Sequence, residues 1–327
     1  MKQKGIYGKA ALTAILTVCA ILIFYDTFFG SRTLIALLKK LLDAYGRERT
    51  QAFLADALQP APRYIRRNPG KCTQEELEQA LGERIMPVAQ VPDAYQLHAG
   101  DIRHLPEFQQ GWFYVQDLAS QICSLAIGAK AGETVLDLCA APGGKTCTMA
   151  LQMQGSGKVL AFDLAQSRVG LIAENVRRLG LTNVTAMQGD AAVYQPELAG
   201  ADRVLCDVPC SGLGVLRRKP EVKEKQPEEL AQLPPVQLAI LENAARYVKQ
   251  GGVLQYSTCT ILPEENQKVV AQFLAHHPDF RLCPVLPEWG GVFAEPMLTL
   301  LPEICGSDGF FVAKMQLMFS FLLRPPM

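Results

Sequence analysis

Two cysteines follow short apolar segments at positions where a thiol could do chemistry. Cys210 lies in DVPCSGLG (207–214), and Cys259 lies in QYSTCT (255–260). Asp207 precedes Cys210 by three positions. A single cysteine at such a position is most often a small buried side chain. Two thiols with a carboxylate, however, offer a nucleophile, a proton acceptor and an acid. The residues alone leave open which sulfur would attack.

From Gly132 onward, short apolar segments alternate with segments of helix length. The apolar segments are ETVLDL, KVLAFD, VTAMQGD, DRVLCDVP and GVLQYS, and the predicted helices cover residues 146–154, 166–179 and 236–249. Strands that are apolar throughout are typical of a parallel sheet covered on both faces. We therefore predict an α/β fold with a doubly wound, mostly parallel, Rossmann-like sheet. Ligands of such sheets bind at the carboxyl ends of the strands.

The predicted strand ends carry a glycine-containing loop and four acidic residues. The first strand leads into DLCAAPGGKT (137–146), whose glycines allow the backbone to lie close to a ligand. Asp163, Asp190 and Asp207 end the next three strands. The loop lacks the G-x-G-x-x-G spacing of dinucleotide-binding proteins. The four acids favour a nucleoside with little negative charge, such as S-adenosylmethionine, because helix capping would explain only one or two of them.

The two thiols and this cofactor together suit chemistry on a cytosine ring. Carbon 5 of cytosine is too weak a nucleophile to take a methyl group directly. A thiolate that adds at C6 converts the ring into an enamine, whose C5 can attack a methyl sulfonium. A base must then remove the C5 proton so that the thiol can leave. Neighbouring strand ends would place Cys210, Cys259 and Asp207 over one cleft, with Asp207 near the N3 edge of the base.

Several segments resemble the Sun family of RNA cytosine-5 methyltransferases. They are DLCAAPGGKT, DVPCSGLGVLRRKP, GGVLQYSTCTILPEEN and GSDGFFVAKM, together with GWFYVQDLASQ (111–121) and YIRRNPGKCTQEEL (64–77). The resemblance covers about residues 34 to 315 and is closest to members that act on 16S ribosomal RNA of the small subunit. It implies an enzyme that transfers a methyl group from S-adenosylmethionine to C5 of a cytosine in RNA, giving 5-methylcytosine.

The resemblance also implies roles for individual residues. Cys259 is expected to attack, Cys210 to assist product release, and Asp207 to contact the base. The expected cofactor site consists of Cys139, Ala140, Ala141, Pro142, Gly143, Gly144, Lys145, Asp163, Asp190 and Asp207. Gln166 stands where the family often has histidine, which would slightly alter the ribose end of this site.

The chain divides into four predicted segments. They are an apolar leader (1–33), a small α/β domain of an RNA-binding type (34–105), the methyltransferase domain (106–316) and a tail (317–327). Helical spacing over residues 34–58, broken at Gly46, predicts two short helices. Thr73 and Glu76 predict a capping box. Family members usually begin with a helical domain related to NusB, and the chain is expected to lack it.

The charge balance restricts how RNA could be bound. Lys and Arg total 32, as do Asp and Glu, so the formal net charge is zero and any RNA contact must rest on local basic patches. The predicted contacts are Arg66, Arg67, Arg217, Arg218 and Lys219, although clusters of this kind are often solvated surface.

Four histidines without an H-E-x-x-H motif argue against a metal. The ten cysteines, without a disulfide framework, indicate a reduced, cytoplasmic protein, and we expect a monomer.

Several alternatives stay open on the sequence alone. The apolar stretch 10–25, preceded by three lysines, suits a short membrane anchor, a buried helix or a non-native start. The same chemistry could act on transfer RNA or another RNA. A non-catalytic RNA-binding relic and a membrane-anchored nucleoside-binding protein are further alternatives. Both cysteines and all four acids are present, which argues against the relic.

Overall fold

The structure, a computed structural model, describes residues 31–98, 100–219, 221–222 and 225–319. The helices are α1 (Ser31–Ala57), α2 (Gln74–Leu81), α3 (Pro106–Gln109), α4 (Leu118–Ala126), α5 (Gly144–Gln152), α6 (Gln166–Leu179), α7 (Pro227–Ala245), α8 (Gln267–His276) and α9 (Pro302–Cys305). The strands are β1 (Arg63–Arg67), β2 (Ile85–Pro87), β3 (Ala94–Leu97), β4 (Phe113–Val115), β5 (Thr134–Asp137), β6 (Lys158–Asp163), β7 (Val184–Gln188), β8 (Ala201–Asp207), β9 (Val248–Thr258), β10 (Phe280–Leu282), β11 (Met297–Leu300) and β12 (Phe310–Leu317). The apolar stretch 10–25 lies outside the described residues. Within them, no helix combines the length and apolar character that crossing a bilayer requires.

The larger sheet has the strand order β10-β12-β9-β8-β5-β6-β7, with β11 paired to β12. Strands β9, β8, β5, β6 and β7 run parallel to one another, and they are the five strands predicted from the sequence. The remaining pairs, β9 with β12 and β12 with β10 and β11, are antiparallel. The prediction of a doubly wound, mostly parallel sheet is therefore confirmed.

Helices cover both faces of this sheet, which explains the apolar middle sections of β5, β6 and β8. Leu136 and Val204 face α7 and α8, in one core with residues such as Ile240 and Phe273. The adjacent residues Val135 and Leu205 belong to the opposite core, which α4 and α5 complete. Successive strand residues point to opposite faces, so a strand buried on both sides needs an apolar residue at every position.

The helix predicted for residues 236–249 differs from the structure at both ends. Helix α7 begins at Pro227 and ends at Ala245, because β9 already begins at Val248. Pro234 and Pro235 lie inside the helix. Proline lacks a backbone N–H and usually marks a helix boundary, which is why the sequence pattern placed the start too late. Helix α6, by contrast, has the predicted bounds.

A four-stranded antiparallel sheet with the order β2-β3-β1-β4 forms the small domain. Its core contains Ile65, Leu77, Tyr95 and Phe113. Because β4 belongs to this sheet, the domain continues past the predicted boundary at residue 105. Helix α2 carries the predicted capping box: the Glu76 N–H donates to Thr73 Oγ1 (3.2 Å), and the Thr73 N–H donates to a Glu76 carboxylate oxygen (2.8 Å).

Helix α1 packs on the domain of the larger sheet, in contrast to the predicted segment 34–105, which grouped it with the small domain. Leu41 and Phe53 share a core with Leu213, Ile261 and Leu301. The helix is interrupted at its glycine, Gly46, which has φ 72° and ψ 176°, so the prediction of two helical segments is confirmed.

A buried ion cluster joins these units. Arg217 donates to Asp308 (2.7 Å) and to Asp56 at the end of α1 (2.9 Å). Arg218 contacts Asp308 as well, and it donates to Asp117 at the start of α4 (2.8 Å). The Arg217 side chain is 4% exposed and that of Asp308 is 2% exposed. Two guanidinium groups and three carboxylates thus satisfy one another where α1, the loop after β8 and the turn before β12 meet.

Replacing Asp308 should destabilise the fold strongly. Asp308→Ala leaves two guanidinium groups with fewer partners in a buried place, and breaking a buried pair in this way typically costs about 3–5 kcal/mol. Urea unfolding should show this loss, while Asp279→Ala, which removes an exposed acid, should change the free energy of unfolding little. If Asp308→Ala lowers the free energy of unfolding as little as Asp279→Ala does, water screens the charges of the ion cluster.

Candidate active site

The two cysteines lie together above the carboxyl ends of β8 and β9. These strands pair in parallel, with Asp207 opposite Ser257, so both chains leave the sheet at the same level. The sulfur atoms of Cys210 and Cys259 are 3.3 Å apart. As the sequence predicts, the two thiols share one cleft. Neither is fully buried.

Glycines allow the two cysteine loops to approach closely. The Gly214 N–H donates to the Cys259 carbonyl oxygen (3.0 Å), and the Gly309 N–H donates to the Gly214 carbonyl oxygen (2.8 Å). A Cβ atom on Gly214 would lie 1.9 Å from the Gly309 carbonyl oxygen, far inside van der Waals contact. The backbone before β12 therefore fixes the spacing of both loops.

A half-buried ion pair lies beside the cysteine loops. Lys145 Nζ lies 2.7 Å from one carboxylate oxygen of Asp207, and Ser257 Oγ donates to the other (2.8 Å). The Lys145 ammonium also lies 5.2 Å from the centre of the Phe310 ring. Burial opposes the charge of Lys145, but the pair with Asp207 outweighs burial and raises the lysine pKa. Lys145 therefore remains a cation within the site.

The two thiols differ in their affinity for a proton. The hydrogen bond from Cys210 lowers the pKa of Cys259 against the effect of burial, and Lys145 and Lys219 lower it further. The same hydrogen bond raises the pKa of Cys210, as do burial and the charge of Glu265. Asp207 acts on both thiols, whereas Lys145 and Lys219 act on Cys259 and Glu265 acts on Cys210, so the surrounding charges favour Cys259 as the thiolate.

The loop from Cys139 to Lys145 turns tightly after β5. The Ala140 N–H donates to the Phe162 carbonyl oxygen (2.7 Å), and the Gly143 N–H donates to the Ala140 carbonyl oxygen (2.8 Å). The peptide bond between Ala141 and Pro142 is cis. Gly143 has φ 101°, a conformation open chiefly to glycine. Gly144 then begins α5, so the loop lies at the N-terminal end of a helix beside β6.

The four strand-end acids have different surroundings. Asp137 is fully buried and accepts a hydrogen bond from Thr146, and burial raises its pKa to about 7. Asp163 accepts hydrogen bonds from the backbone N–H groups of Ala141 (3.2 Å) and Ala165 (3.3 Å), so it ties β6 to the loop. Asp190 is exposed and accepts from the Ala192 N–H (2.9 Å). Asp163, Asp190 and Asp207 line the edge of the sheet, whereas Asp137 lies beneath it.

Two site residues were not predicted from the sequence. Ser257 and Phe310 contact the Asp207–Lys145 pair, yet neither residue type indicates such a role. Their positions in QYSTCT and GSDGFF, segments that carry the family resemblance, were the available signal. Lys145, expected at the cofactor, has its ammonium at Asp207.

Four of the five predicted RNA contacts require correction. Arg66 is 5% exposed and donates to the Pro92 carbonyl oxygen, and Arg67 donates to Asp93 (2.9 Å) and to the Cys72 carbonyl oxygen. Arg217 and Arg218 belong to the ion cluster described above. Because their guanidinium groups already have protein partners, these arginines join separate segments of the folded chain. Of the five, Lys219 is exposed and has no ion pair within the described part of the chain.

Adding one methyl group at Gly214 should disrupt the site. Gly214→Ala must push the Cys210 loop away from Gly309, which separates the two sulfurs. Both thiols should then react faster with an alkylating reagent, and the temperature of unfolding should fall. Alkylation kinetics and thermal unfolding measure these effects. Gly170→Ala is the matched control, because a Cβ there meets open space within α6 and should stabilise the helix by roughly 0.5–1 kcal/mol. Normal thiol kinetics in Gly214→Ala would show that the loops adapt.

Curated proteins with similar sequences are ribosomal RNA methyltransferases. The chain is 40% identical over 291 residues to the probable ribosomal RNA small subunit methyltransferase B of Bacillus subtilis, covering 86% of this chain and 65% of that protein. It is 38% identical over 290 residues to ribosomal RNA small subunit methyltransferase B of Escherichia coli, covering 85% of this chain and 65% of that protein. The chain thus spans slightly less than two thirds of the length of these relatives.

Solved structures share the fold. A methyltransferase homologue from Pyrococcus horikoshii matches with a TM-score of 0.72 and 28% identity, covering 86% of this chain and 98% of that one. NSun6 from the same organism, solved with SFG, an analogue of S-adenosylmethionine, matches in fold with a TM-score of 0.78 at 22% identity, covering 87% and 98%. The family of S-adenosylmethionine-dependent enzymes described as 16S rRNA methyltransferase RsmB/F matches residues 124–316. The chain belongs to this RsmB/F family of 16S rRNA methyltransferases.

Proposed function

We propose that this protein transfers a methyl group from S-adenosylmethionine to C5 of a cytosine in 16S ribosomal RNA. The observation that carries the proposal is the pair of sulfur atoms 3.3 Å apart beside the Asp207–Lys145 ion pair. Addition to cytosine and release from it need two groups at one place, and a cysteine pair supplies both. The names of the relatives support the ribosomal target. We place the activity in the cytoplasm and expect a monomer.

The residues at the strand ends fit the cofactor by their chemistry. Carboxylate oxygens accept hydrogen bonds from ribose hydroxyls and from an exocyclic amine. Asp190 is exposed, whereas Asp163 is 3% exposed and each of its oxygens already accepts one backbone N–H, so a ribose hydroxyl would share an oxygen with the loop. Leu164, directly after Asp163, is 65% exposed and offers an apolar surface for a purine. The turned loop from Cys139 to Gly143 offers backbone instead of side chains. When bound here, S-adenosylmethionine supplies an electrophilic methyl group on a positively charged sulfur.

Cys259 begins the proposed reaction. Its thiolate forms a bond to C6 of the cytosine, and the electron pair of the C5–C6 double bond moves into the ring, which makes C5 nucleophilic. The negative charge that arrives with the thiolate passes to the N3 edge of the base. The Lys145 ammonium is the cation that can balance that charge, and the Asp207 carboxylate, which Ser257 keeps in place, positions the ammonium.

Cys210 completes the proposed reaction. After C5 has been methylated, its proton must leave. A water molecule takes that proton, the electron pair of the C–H bond restores the C5–C6 double bond, and Cys259 leaves as a thiolate that the Cys210 thiol stabilises by donating a hydrogen bond. Cys210 lies 3.3 Å from the leaving sulfur, and we assign it to this release step. The target base must leave its stack to reach this cleft, so the RNA binds as a loop or with the base flipped out.

The two cysteines should fail at different stages. Cys259→Ala should give neither methylation nor a covalent complex, because no bond to C6 forms. Cys210→Ala should accumulate a protein–RNA adduct that resists denaturation in the presence of S-adenosylmethionine. A denaturing gel with substrate RNA shows both results, and Cys283→Ala, which removes a free thiol outside the site, is the matched control. An adduct in Cys259→Ala but not in Cys210→Ala would reverse the assignment.

The RNA target is tested in the same system. Labelled S-adenosylmethionine is added to bulk RNA from a methylation-deficient strain, and 5-methylcytosine is mapped afterwards. We expect the label in 16S ribosomal RNA. Label in transfer RNA alone would support the same chemistry on a different substrate, and absence of label from all RNA would leave a binding protein without turnover.

Lys219 is the remaining proposed phosphate contact from the predicted basic set. It is exposed, it follows the Cys210 loop, and its charge is close enough to lower the pKa of Cys259. Lys219→Ala should weaken RNA binding and reduce the slope of log affinity against log salt by about 0.7, the value for one contact to a single strand. Fluorescence anisotropy over a salt series measures the slope. Lys158→Ala, at the opposite end of β6, is the control, and equal slopes for the two variants would make Lys219 ordinary solvated surface.

A further inference from the structure

A buried carboxylate that the proposed reaction does not use lies beside the Cys210 loop. Glu265 is 1% exposed. One of its carboxylate oxygens accepts hydrogen bonds from the Ser211 N–H (2.8 Å) and from Gln237 Nε2 (2.9 Å). Its other oxygen is buried without a hydrogen-bond partner in the described part of the chain. A buried charge with an unsatisfied oxygen is costly, so its retention needs an explanation.

The position of Glu265 is tightly fixed. Gln237 also donates to the Pro209 carbonyl oxygen (3.0 Å), so Glu265 and Gln237 bind the backbone on both sides of Cys210. The Tyr256 hydroxyl donates to the Glu265 carbonyl oxygen, which ties the glutamate to the middle of the sheet. The Glu265 carboxyl group therefore has a fixed place beside the backbone of the Cys210 loop.

The charges around the two sulfurs are arranged unequally. Lys145 and Lys219 act on Cys259, whereas Glu265 acts on Cys210, and Asp207 acts on both. Tyr256, whose hydroxyl keeps its proton because burial raises its pKa, adds no charge. Lys225 is only partly buried, and its ammonium points to the carbonyl oxygens of Cys210 and Ser211. Glu265 is 1% exposed, so solvent screens its charge less than it screens the half-buried Lys225 ammonium.

We propose that Glu265 is a positioning residue that keeps the shared proton on Cys210 and thereby makes Cys259 the nucleophile. The inference rests on the proposed function for the roles of the two sulfurs. Two thiols at 3.3 Å that share one proton titrate as a pair, and the surrounding charges decide which sulfur is the thiolate. A nearby carboxylate disfavours a second negative charge, so it disfavours the thiolate form of Cys210.

Replacing Glu265 by glutamine separates its charge from its hydrogen bonds. In Glu265→Gln the amide oxygen can still accept from Ser211 and Gln237, while the negative charge is lost. Alkylation of the free protein with iodoacetamide near neutral pH, followed by mass spectrometry of the two cysteine peptides, reports which sulfur is the thiolate. The ratio of Cys259 to Cys210 labelling should fall about tenfold, which corresponds to one pKa unit.

Two controls distinguish charge from shape. Glu265→Asp keeps the charge but shortens the side chain, so it should retain most of the labelling preference. Glu264→Gln removes the neighbouring, partly exposed carboxylate, which pairs with Lys40 (3.5 Å), and should leave the ratio unchanged. A purely structural role for Glu265 would give the reverse order, with Glu265→Asp more damaging than Glu265→Gln.

A second measurement removes the coupling between the sulfurs. In the Cys259→Ala background, the pH dependence of Cys210 alkylation gives the titration of that thiol alone, and Glu265→Gln should move its midpoint to lower pH. An unchanged midpoint, or an unchanged labelling ratio in the first experiment, overturns the inference. Both experiments use neither RNA nor cofactor, so their outcome is independent of whether methyl transfer to RNA is observed.

Discussion

Strands β8 and β9 pair in parallel with Cys206 opposite Tyr256 and Asp207 opposite Ser257. Because side chains alternate along a strand, a slip of one residue would exchange the two faces of either strand. It would also separate the two loops that leave the sheet after Asp207 and Thr258. The distance between the sulfurs, the hydrogen bond from Ser257 to Asp207 and the contact of Gly214 with the Cys259 carbonyl oxygen all follow from this register.

The parts of the fold that follow local rules were predictable. Apolar segments mark the five parallel strands, and Thr73 with Glu76 satisfies a local capping pattern, so neither signal depends on distant residues. Helix α7 was not predictable in full, because Pro234 and Pro235 lie inside it against their usual preference. The packing of α1 could not be predicted either, since its apolar face meets residues such as Leu301 that lie far along the chain.

The candidate site likewise contains residues whose placement could be predicted from the sequence and residues whose placement could not. The strand-end acids and the two cysteines could be placed together because parallel strands end at one edge. The basic residues could not be interpreted, since a run of arginine and lysine has the same sequence whether it binds phosphate or carboxylate. Arg217 pairs with Asp308, 91 residues later, and with Asp56, 161 residues earlier. Only the tertiary structure shows that its charge is already neutralised.

The contact between Gly214 and Gly309 has a consequence for the order in which the site is assembled. Both cysteines precede β12, yet Asp308 and Gly309, which fix the loop after Cys210, stand directly before that strand. During synthesis the chain therefore carries both thiols before the segment that aligns them has emerged. Loop closure over such separations is slow compared with local structure formation. The two sulfurs reach their final spacing only when β12, the last described strand of the chain, has joined the sheet, so the end of the fold sets the geometry of the candidate site.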